Sequence, residues 1–171
     1  MKNACQLWII SSNVRKLNEG HLKVIKKFFD SGKGVYIWGD NQPYYADANY
    51  VSKYLIGVEM LGNMPGGINV GLNSKGKQIG LAPGHLITTG LENVYEGVTI
   101  ATIQDNNQVL TPLIYGHDRN LVTATYEKDG KRLILDGGFT RLYVAWENAG
   151  TGRYVKNAAA WLVNYERFGE K

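Results

Sequence analysis

Two short apolar runs on either side of an amphipathic segment open the chain and determine the architecture that the sequence predicts. The runs are residues 6–11 and 35–38, and both are rich in the β-branched and aromatic side chains of buried strands. Between them, a helix is predicted over residues 18–31, with apolar side chains on one side, lysines on the other and Asn18 or an earlier residue as N-cap. A strand, a helix and a strand joined by short links predict a parallel strand pair with a right-handed crossover.

The polar turn after the second run is where we expect a site. At Gly39 the pattern changes abruptly to Asp40, Asn41 and then a proline, and a further helix is predicted with Asp47 as its N-cap. In an open α/β sheet the carboxyl ends of the strands meet a crevice, and the next helix directs its amide groups into it. The turn therefore marks the predicted crevice.

The remainder of the chain predicts a mixed sheet and a closing helix. Strand-like runs follow at residues 98–103, 110–115, 121–127 and 132–135. An Asp-Gly pair between the last two is typical of a β-hairpin, and a helix is predicted over residues 152–167. We therefore predict one α/β domain over residues 1–171, a three-layer sandwich around a mixed but mostly parallel sheet.

Composition excludes several classes of protein. The chain is 44% hydrophobic and 20% charged, with a net charge of +4, which is ordinary for a globular domain. The lysines of the first predicted helix are a solvated face rather than a basic stripe interleaved with aromatics, so no nucleic-acid partner is expected. The one cysteine, Cys5, allows neither an intrachain disulfide nor a cysteine-based metal cluster. No apolar run spans a membrane or forms a signal peptide, so we expect a cytoplasmic protein without a membrane partner or cofactor.

Three segments, in this order and spacing, resemble the class I glutamine amidotransferase-like superfamily, in particular its trehalose-utilisation-type branch. Residues 84–91 are similar to the His-Pro-Ile-Thr-x-Gly-Leu segment of that branch, residues 132–139 to its late strand and glycine-rich turn, and residues 157–162 to its closing helix. The resemblance implies a flavodoxin-like sheet whose first strand and helix are missing here. Either the chain is part of a longer architecture, or a second copy or a partner domain covers the exposed sheet edge.

The chain departs from this superfamily at the catalytic residues. The nucleophile elbow would fall at residues 38–41, which contain no cysteine, and Cys5 lies before a strand, on the wrong side of it for an elbow. Residues 137–141 follow the late strand where the superfamily has His-x-Glu. Glutaminase activity is therefore not expected.

The candidate ligand-binding residues have oxygen- or nitrogen-bearing side chains at predicted strand ends: Asp40, Asn41, Asp47, His117, Asp118 and Asp136. Carboxylates and amides bind sugar hydroxyls or a hard cation, although the same residues also form Asx turns and helix caps. The pattern selects no particular metal. Because Asp40 and Asp136 both end a strand beside glycine, we expect them to lie close together on one rim of the sheet.

Two functions from different classes fit this pattern. The first is a non-catalytic, amidotransferase-like binding or scaffolding module with a polar crevice at the carboxyl ends of the strands. The alternative is a hydrolase acting on a carbohydrate or another small polar substrate, with Asp40 or His117 as the acid–base group. A purely structural domain within a larger assembly is a third option, favoured by the missing first strand.

Overall fold

The computed structural model describes residues 3–73, 76–147 and 149–164. In chain order the strands are β1 (Gln6–Ile10), β2 (Gly34–Trp38), β3 (Glu59–Pro65), β4 (Asn69–Gly71), β5 (Gln78–Ile79), β6 (Asn93–Tyr95), β7 (Thr99–Gln104), β8 (Thr111–Tyr115), β9 (Leu121–Lys128) and β10 (Lys131–Asp136). The helices are α1 (Glu19–Asp30), α2 (Ala46–Ile56), α3 (Arg141–Val144) and α4 (Thr151–Val163). Within these described ranges, no helix is both long and apolar enough to cross a membrane.

The first strand–helix–strand unit is confirmed. β1 and β2 are adjacent and parallel, with Ile9 opposite Ile37, and α1 forms the crossover between them. Asn18 caps α1 as expected, because its side chain accepts the backbone N–H of His21 at 3.1 Å. β2 pairs in parallel with β10 on its other side, so the central sheet has the order β1-β2-β10-β9-β8.

The expectation of a mostly parallel, flavodoxin-like sheet is wrong. β9 pairs antiparallel with both β10 and β8, and β3 with β7 and β4 with β6 are antiparallel as well. The reason is the length of the connections: residues 129–130 and 116–120 join the last three strands, whereas a parallel crossover needs about a dozen residues or more. The fold is a mixed α/β arrangement in which antiparallel pairs predominate among the described strands.

Helices cover both faces of the central sheet. On one face α1 and α2 pack against side chains such as Ile9, Ile37 and Leu135. On the other face α4 packs, through Tyr154 and Trp161 among others, against aromatic and aliphatic side chains of β2 and β10. Burial of these apolar surfaces stabilises the fold at about 25 cal/mol per Å² removed from water.

The closing helix, predicted over residues 152–167, ends before residue 164 in the structure. α4 ends at Val163, and Asn164 takes a left-handed conformation with φ of 55° as its C-cap. Its amide donates to the backbone carbonyls of Gly32 and Gly130, at 3.2 and 2.9 Å. The predicted helix residues 165–167 lie outside the described residues.

Candidate functional site

A cleft of about 380 Å³ lies where β1, β2 and β10 end. Its walls come from the three strand ends and the segments that follow them, which contribute three aromatic residues: Ser11, Ser12, Asp40, Asn41, Tyr44, Phe139, Thr140 and Tyr143. The predicted crevice therefore has a counterpart in the structure, because the three strands are mutually parallel and their carboxyl ends meet at one edge.

Asp40 is the one carboxylate among the described residues that line this cleft. Its side chain is largely buried, with the residue 5% exposed. One oxygen accepts the backbone N–H of Asn41 at 2.8 Å and the other accepts that of Thr140 at 3.1 Å. Burial raises the pKa of Asp40 to about 6, although the two N–H donors act in the opposite direction. The carboxyl group is therefore close to titration at neutral pH.

Asp136 lies at the same sheet edge as Asp40 but outside the cleft. The backbone N–H of Gly39 donates to the Asp136 carbonyl at 2.8 Å, so the two strand ends are directly adjacent. The Asp136 side chain, however, is completely buried on the α4 side, where one oxygen accepts the hydroxyls of Tyr36 (3.0 Å) and Tyr154 (2.8 Å). The structure therefore brings the two residues together without placing both carboxylates in the cleft.

A buried arginine balances the Asp136 charge. The Arg141 guanidinium lies 3.1 Å from the second Asp136 oxygen, and both side chains are fully buried. Arg141 also donates to the backbone carbonyls of Gly138 (3.2 Å) and Glu96 (3.1 Å). These bonds fix the turn after β10. They therefore also position Thr140, whose backbone N–H donates to Asp40.

Asn41 borders the cleft, whereas Asp47 does not. The Asn41 side-chain oxygen accepts the Thr99 hydroxyl at 2.8 Å. The Asn41 side-chain NH₂ group donates to the backbone carbonyl of Gln42 at 3.1 Å. One Asp47 oxygen accepts the backbone N–H groups of Lys16 and Leu17, each at 2.9 Å, and so ties down the loop after β1.

The N-cap assigned to Asp47 is wrong. α2 begins at Ala46, with Tyr45 in the N-cap position and no side-chain cap of its own. The Ser11 hydroxyl accepts the backbone N–H groups of Asp47 and Ala48 instead, at 3.0 and 3.2 Å. Ser11, which is 36 positions before Asp47 in the sequence, therefore supplies the hydrogen-bond acceptor for N–H groups in the first turn of this helix.

His117 and Asp118 lie at the end of β8, two strands away from β10, and do not line the cleft. The His117 imidazole is 3.6 Å from the Asp118 carboxylate, which is 80% exposed. The His117 backbone N–H donates to Glu96 at 2.5 Å, and Ile68 donates to the other Glu96 oxygen at 3.1 Å. Burial raises the pKa of Glu96, which is a fully buried carboxylate.

Several site residues were missed from the sequence. Ser11 ends the first apolar run and Ser12 directly follows it, so the strand-end rule that selected Asp40 also applies to them. Arg141 gave no comparable signal, because nothing in its neighbourhood distinguishes a buried arginine from a solvated one. No cluster of three or more potential metal-ligating side chains exists in the part of the chain that the structure describes.

Comparison with known proteins shows the fold alone. No family model and no curated protein matches the chain. The structure is similar to the mmIFT52 N-terminal domain, with a TM-score of 0.70, 13% identity, and coverage of 91% of this chain and 76% of that one. It is also similar to two Salmonella typhimurium cytoplasmic proteins, STM3548 (TM-score 0.60, 11% identity, 92% of this chain and 71% of that one) and STM1381 of strain LT2 (0.58, 12%, 95% and 71%). None of the three is described as an amidotransferase, so the resemblance to that superfamily stays a prediction.

Proposed function

We propose that the chain is a non-catalytic binding module whose cleft holds a small polar ligand with hydroxyl groups and an apolar face, such as a carbohydrate. The observation that carries this proposal is the composition of the cleft wall. Hydroxyl, amide and carboxylate groups offer hydrogen bonds, and the rings of Tyr44, Phe139 and Tyr143 offer flat apolar surfaces beside them.

The same wall supports a binding rather than a catalytic role. Asp40 is joined in the cleft by no second carboxylate, histidine or cysteine among the described lining residues. Hydrolysis by paired acid–base groups requires a partner at a suitable distance. Both Asp40 oxygens already accept backbone N–H groups, which suits a fixed acceptor better than a group that exchanges protons with a substrate.

Binding can be tested with a panel of monosaccharides and disaccharides, by ligand-observed NMR and thermal shift. We expect at least one sugar to bind and Tyr143→Ala to weaken it, since Tyr143 is 66% exposed and its loss leaves the core intact. Tyr54→Ala is the matched control, because that side chain is 45% exposed on α2 and does not line the cleft. Equal binding by both variants, or no binding by the unmodified chain, would contradict the proposal.

One observation favours the hydrolase as a second candidate, namely the Asp40 pKa of about 6, which lies in the range useful for a general acid. The test is release of nitrophenol from a panel of nitrophenyl glycosides between pH 4 and 8. Turnover that Asp40→Asn abolishes, while sugar binding persists, would establish the hydrolase in place of the binding module.

A cytoplasmic location belongs to the same proposal. Its support is that two of the similar structures are described as cytoplasmic proteins. Fractionation of cells that express the tagged chain would check it, and the tagged chain should appear with cytoplasmic markers.

A further inference from the structure

The cleft at Asp40 carries charge of one sign. Asp40 is the only acidic or basic side chain among the described residues that line it, and these include no lysine, arginine or histidine. The chain as a whole has a net charge of +4, so the negative charge of the cleft is a local property that does not follow from the overall composition. A charged ligand is therefore selected by its sign when it enters this cleft.

The charged residues behind the cleft do not cancel the Asp40 charge. The charge of Asp136, at the end of β10, raises the pKa of Asp40, and that of Arg141, in α3, lowers it. These two side chains are fully buried and lie 3.1 Å apart, so their charges largely offset each other. Asp40 itself forms no salt bridge within the described ranges. Its negative charge is therefore available to a ligand.

Both Asp40 oxygens can accept a further hydrogen bond. Each accepts one backbone N–H, from Asn41 or from Thr140. A carboxylate oxygen has two lone-pair sites, so one site on each oxygen remains for a ligand. Burial raises the pKa of Asp40 to about 6, which means that its negative charge is poorly solvated in the free chain. A cation beside the carboxylate would stabilise that charge.

Three aromatic rings in the cleft wall favour an organic cation. Tyr44 and Tyr143 are 47% and 66% exposed, and the ring centroids of Phe139 and Tyr143 lie 6.0 Å apart. The face of an aromatic ring attracts an ammonium group within about 6 Å of its centroid, and it also packs against the C–H groups of a ligand. A metal ion has fewer partners, because the described residues hold no cluster of three or more potential metal-ligating side chains.

Two hydroxyl groups of the wall offer complementary hydrogen bonds. The Ser12 hydroxyl donates to the Val14 carbonyl at 3.1 Å, so its oxygen can accept. The Thr140 hydroxyl accepts the backbone N–H of Val98 at 2.8 Å, so its own O–H can donate. Sugar hydroxyls both donate and accept, and they match such a pair.

We propose that the ligand of the cleft is an amino sugar with a protonated amino group, an assignment that rests on the proposed function. The ammonium group binds to the Asp40 carboxylate beside the aromatic rings, and hydroxyl groups of the sugar bond to Ser12 and Thr140. An anionic sugar, such as a sugar phosphate, is disfavoured, because the described lining residues present a carboxylate to it and no cation.

The probes are matched sugars that differ in charge. Glucosamine, galactosamine and mannosamine are each compared, by ligand-observed NMR at pH 7, with the parent sugar and with the N-acetylated sugar, which keeps the nitrogen but is neutral. At least one amino sugar should bind about fivefold or more tightly than both of its neutral counterparts. The ionic strength is the same in all samples, because salt screens charges.

Variants of the full chain assign this preference to Asp40. Asp40→Asn removes the charge at nearly constant volume, and the preference for the amino sugar should disappear. Asp118→Asn is the matched control, because that carboxylate is 80% exposed and does not line the cleft. It should keep the preference. The preference is a ratio of two affinities measured on the same variant, so a general change in affinity does not alter it.

A titration of the unmodified chain tests the same contact without a substitution, and it decides the matter if Asp40→Asn does not fold. Carboxyl carbon NMR shifts follow the ionisation of Asp40. Its pKa of about 6 should fall further when the amino sugar is bound than when the parent sugar is bound, because a cation stabilises the ionised form. By linkage, the preference should weaken as the pH falls from 7 to 5 and Asp40 is protonated.

Three results would overturn the assignment: equal binding of the amino sugars and their neutral counterparts, a preference that persists in Asp40→Asn, or an Asp40 pKa that responds equally to both sugars. If neutral sugars bind and no amino sugar is preferred, only the ligand class is wrong and the proposed binding module stands. If no sugar of either kind binds, the proposed function fails as well.

Discussion

Asp40 and Asp136 end neighbouring strands at one sheet edge, but their carboxylates have different partners and therefore different roles. Asp136 is matched by a buried guanidinium and by two tyrosine hydroxyls, whose own contact is 2.5 Å. Asp40 has two backbone N–H donors and faces a cleft. Burial of the tyrosines raises the pKa of Tyr36 and of Tyr154 well above the ordinary range, so both remain neutral hydroxyl donors. The Asp136 cluster is therefore structural, whereas Asp40 is the carboxylate that faces the cleft.

Stability should fall with pH because of Asp40. Its pKa of about 6 in the folded chain lies above the ordinary 3.8, so its contribution is fully present below pH 3.8 and is lost as the pH rises through 6. A shift of this size corresponds to about 2–3 kcal/mol. Urea denaturation measures the free energy of unfolding at pH 4 and at pH 7. Between these two pH values, the free energy of Asp40→Asn should fall by about this amount less than that of the unmodified chain.

The control for this measurement is Asp118→Asn, which removes a carboxylate that is 80% exposed and keeps a residue type that accepts its φ of 51°. Its stability should decline with pH like that of the unmodified chain. Glu96, whose pKa is also raised by burial, is present in every variant and cancels from the comparison. An unchanged decline in Asp40→Asn would contradict the assignment.

Removing the buried cation should be costly. Arg141→Met leaves the Asp136 carboxylate buried without its partner, which typically costs about 3–5 kcal/mol. The free energy of unfolding from urea titration measures this loss. Lys26→Met is the control, since the Lys26–Asp30 pair is exposed to solvent, which screens its charges, and its removal should change the free energy of unfolding little. Similar losses for the two variants would show that Arg141 contributes no more than a surface charge.

Local sequence patterns correctly predicted the elements that depend on residues close together in the sequence. The β1–α1–β2 unit and the Asp129–Gly130 hairpin fall in this group, and both turn residues have the positive φ that such a turn requires, 51° and 68°. The direction of β9 and β8 in the central sheet depends on which strands they pair with. The pattern of apolar residues within one segment does not contain this information. The cap of α2 by Ser11 and the burial of Arg141 were missed for the same reason.

The turn after β10 has no room for a side chain at Gly138. A Cβ there would lie 2.1 Å from the Glu96 carbonyl oxygen and 2.5 Å from the Arg141 guanidinium. Gly138→Ala should therefore shift this turn, lower the free energy of unfolding by more than about 2 kcal/mol and displace the Thr140 N–H from Asp40. Urea titration measures the first effect, and the amide chemical shift of Thr140 measures the second.

The matched change is Gly152→Ala, which lies within α4, where a Cβ would meet only the Trp146 ring at 3.6 Å. Alanine is favoured over glycine in a helix by about 0.5–1 kcal/mol, so this variant should be as stable as the unmodified chain or more so. Destabilisation of the two variants to the same extent would show that the loss at Gly138 does not come from the close approach.

At the scale of the whole molecule, the cleft and the cysteine occupy opposite ends of the central sheet. The cleft lies at the carboxyl ends of β1, β2 and β10, whereas the exposed Cys5 directly precedes the amino end of β1. Five extended residues separate the two ends by roughly 16 Å. A thiol at that distance cannot act as a nucleophile on a ligand held beside Asp40, and serine and aspartate side chains occupy the strand ends themselves.

The chain should therefore release no ammonia from glutamine. Thiol-dependent amide hydrolysis needs a thiolate within bonding distance of the substrate carbonyl and a base that holds its proton. The described residues that line the cleft include no cysteine, and they include no histidine that could accept a thiol proton. A coupled ammonia assay with millimolar glutamine should match the blank at every pH between 6 and 8. Ammonia release above the blank that Cys5→Ser abolishes would show that the cysteine reaches a substrate, and a second site at the amino end of β1 would then have to exist.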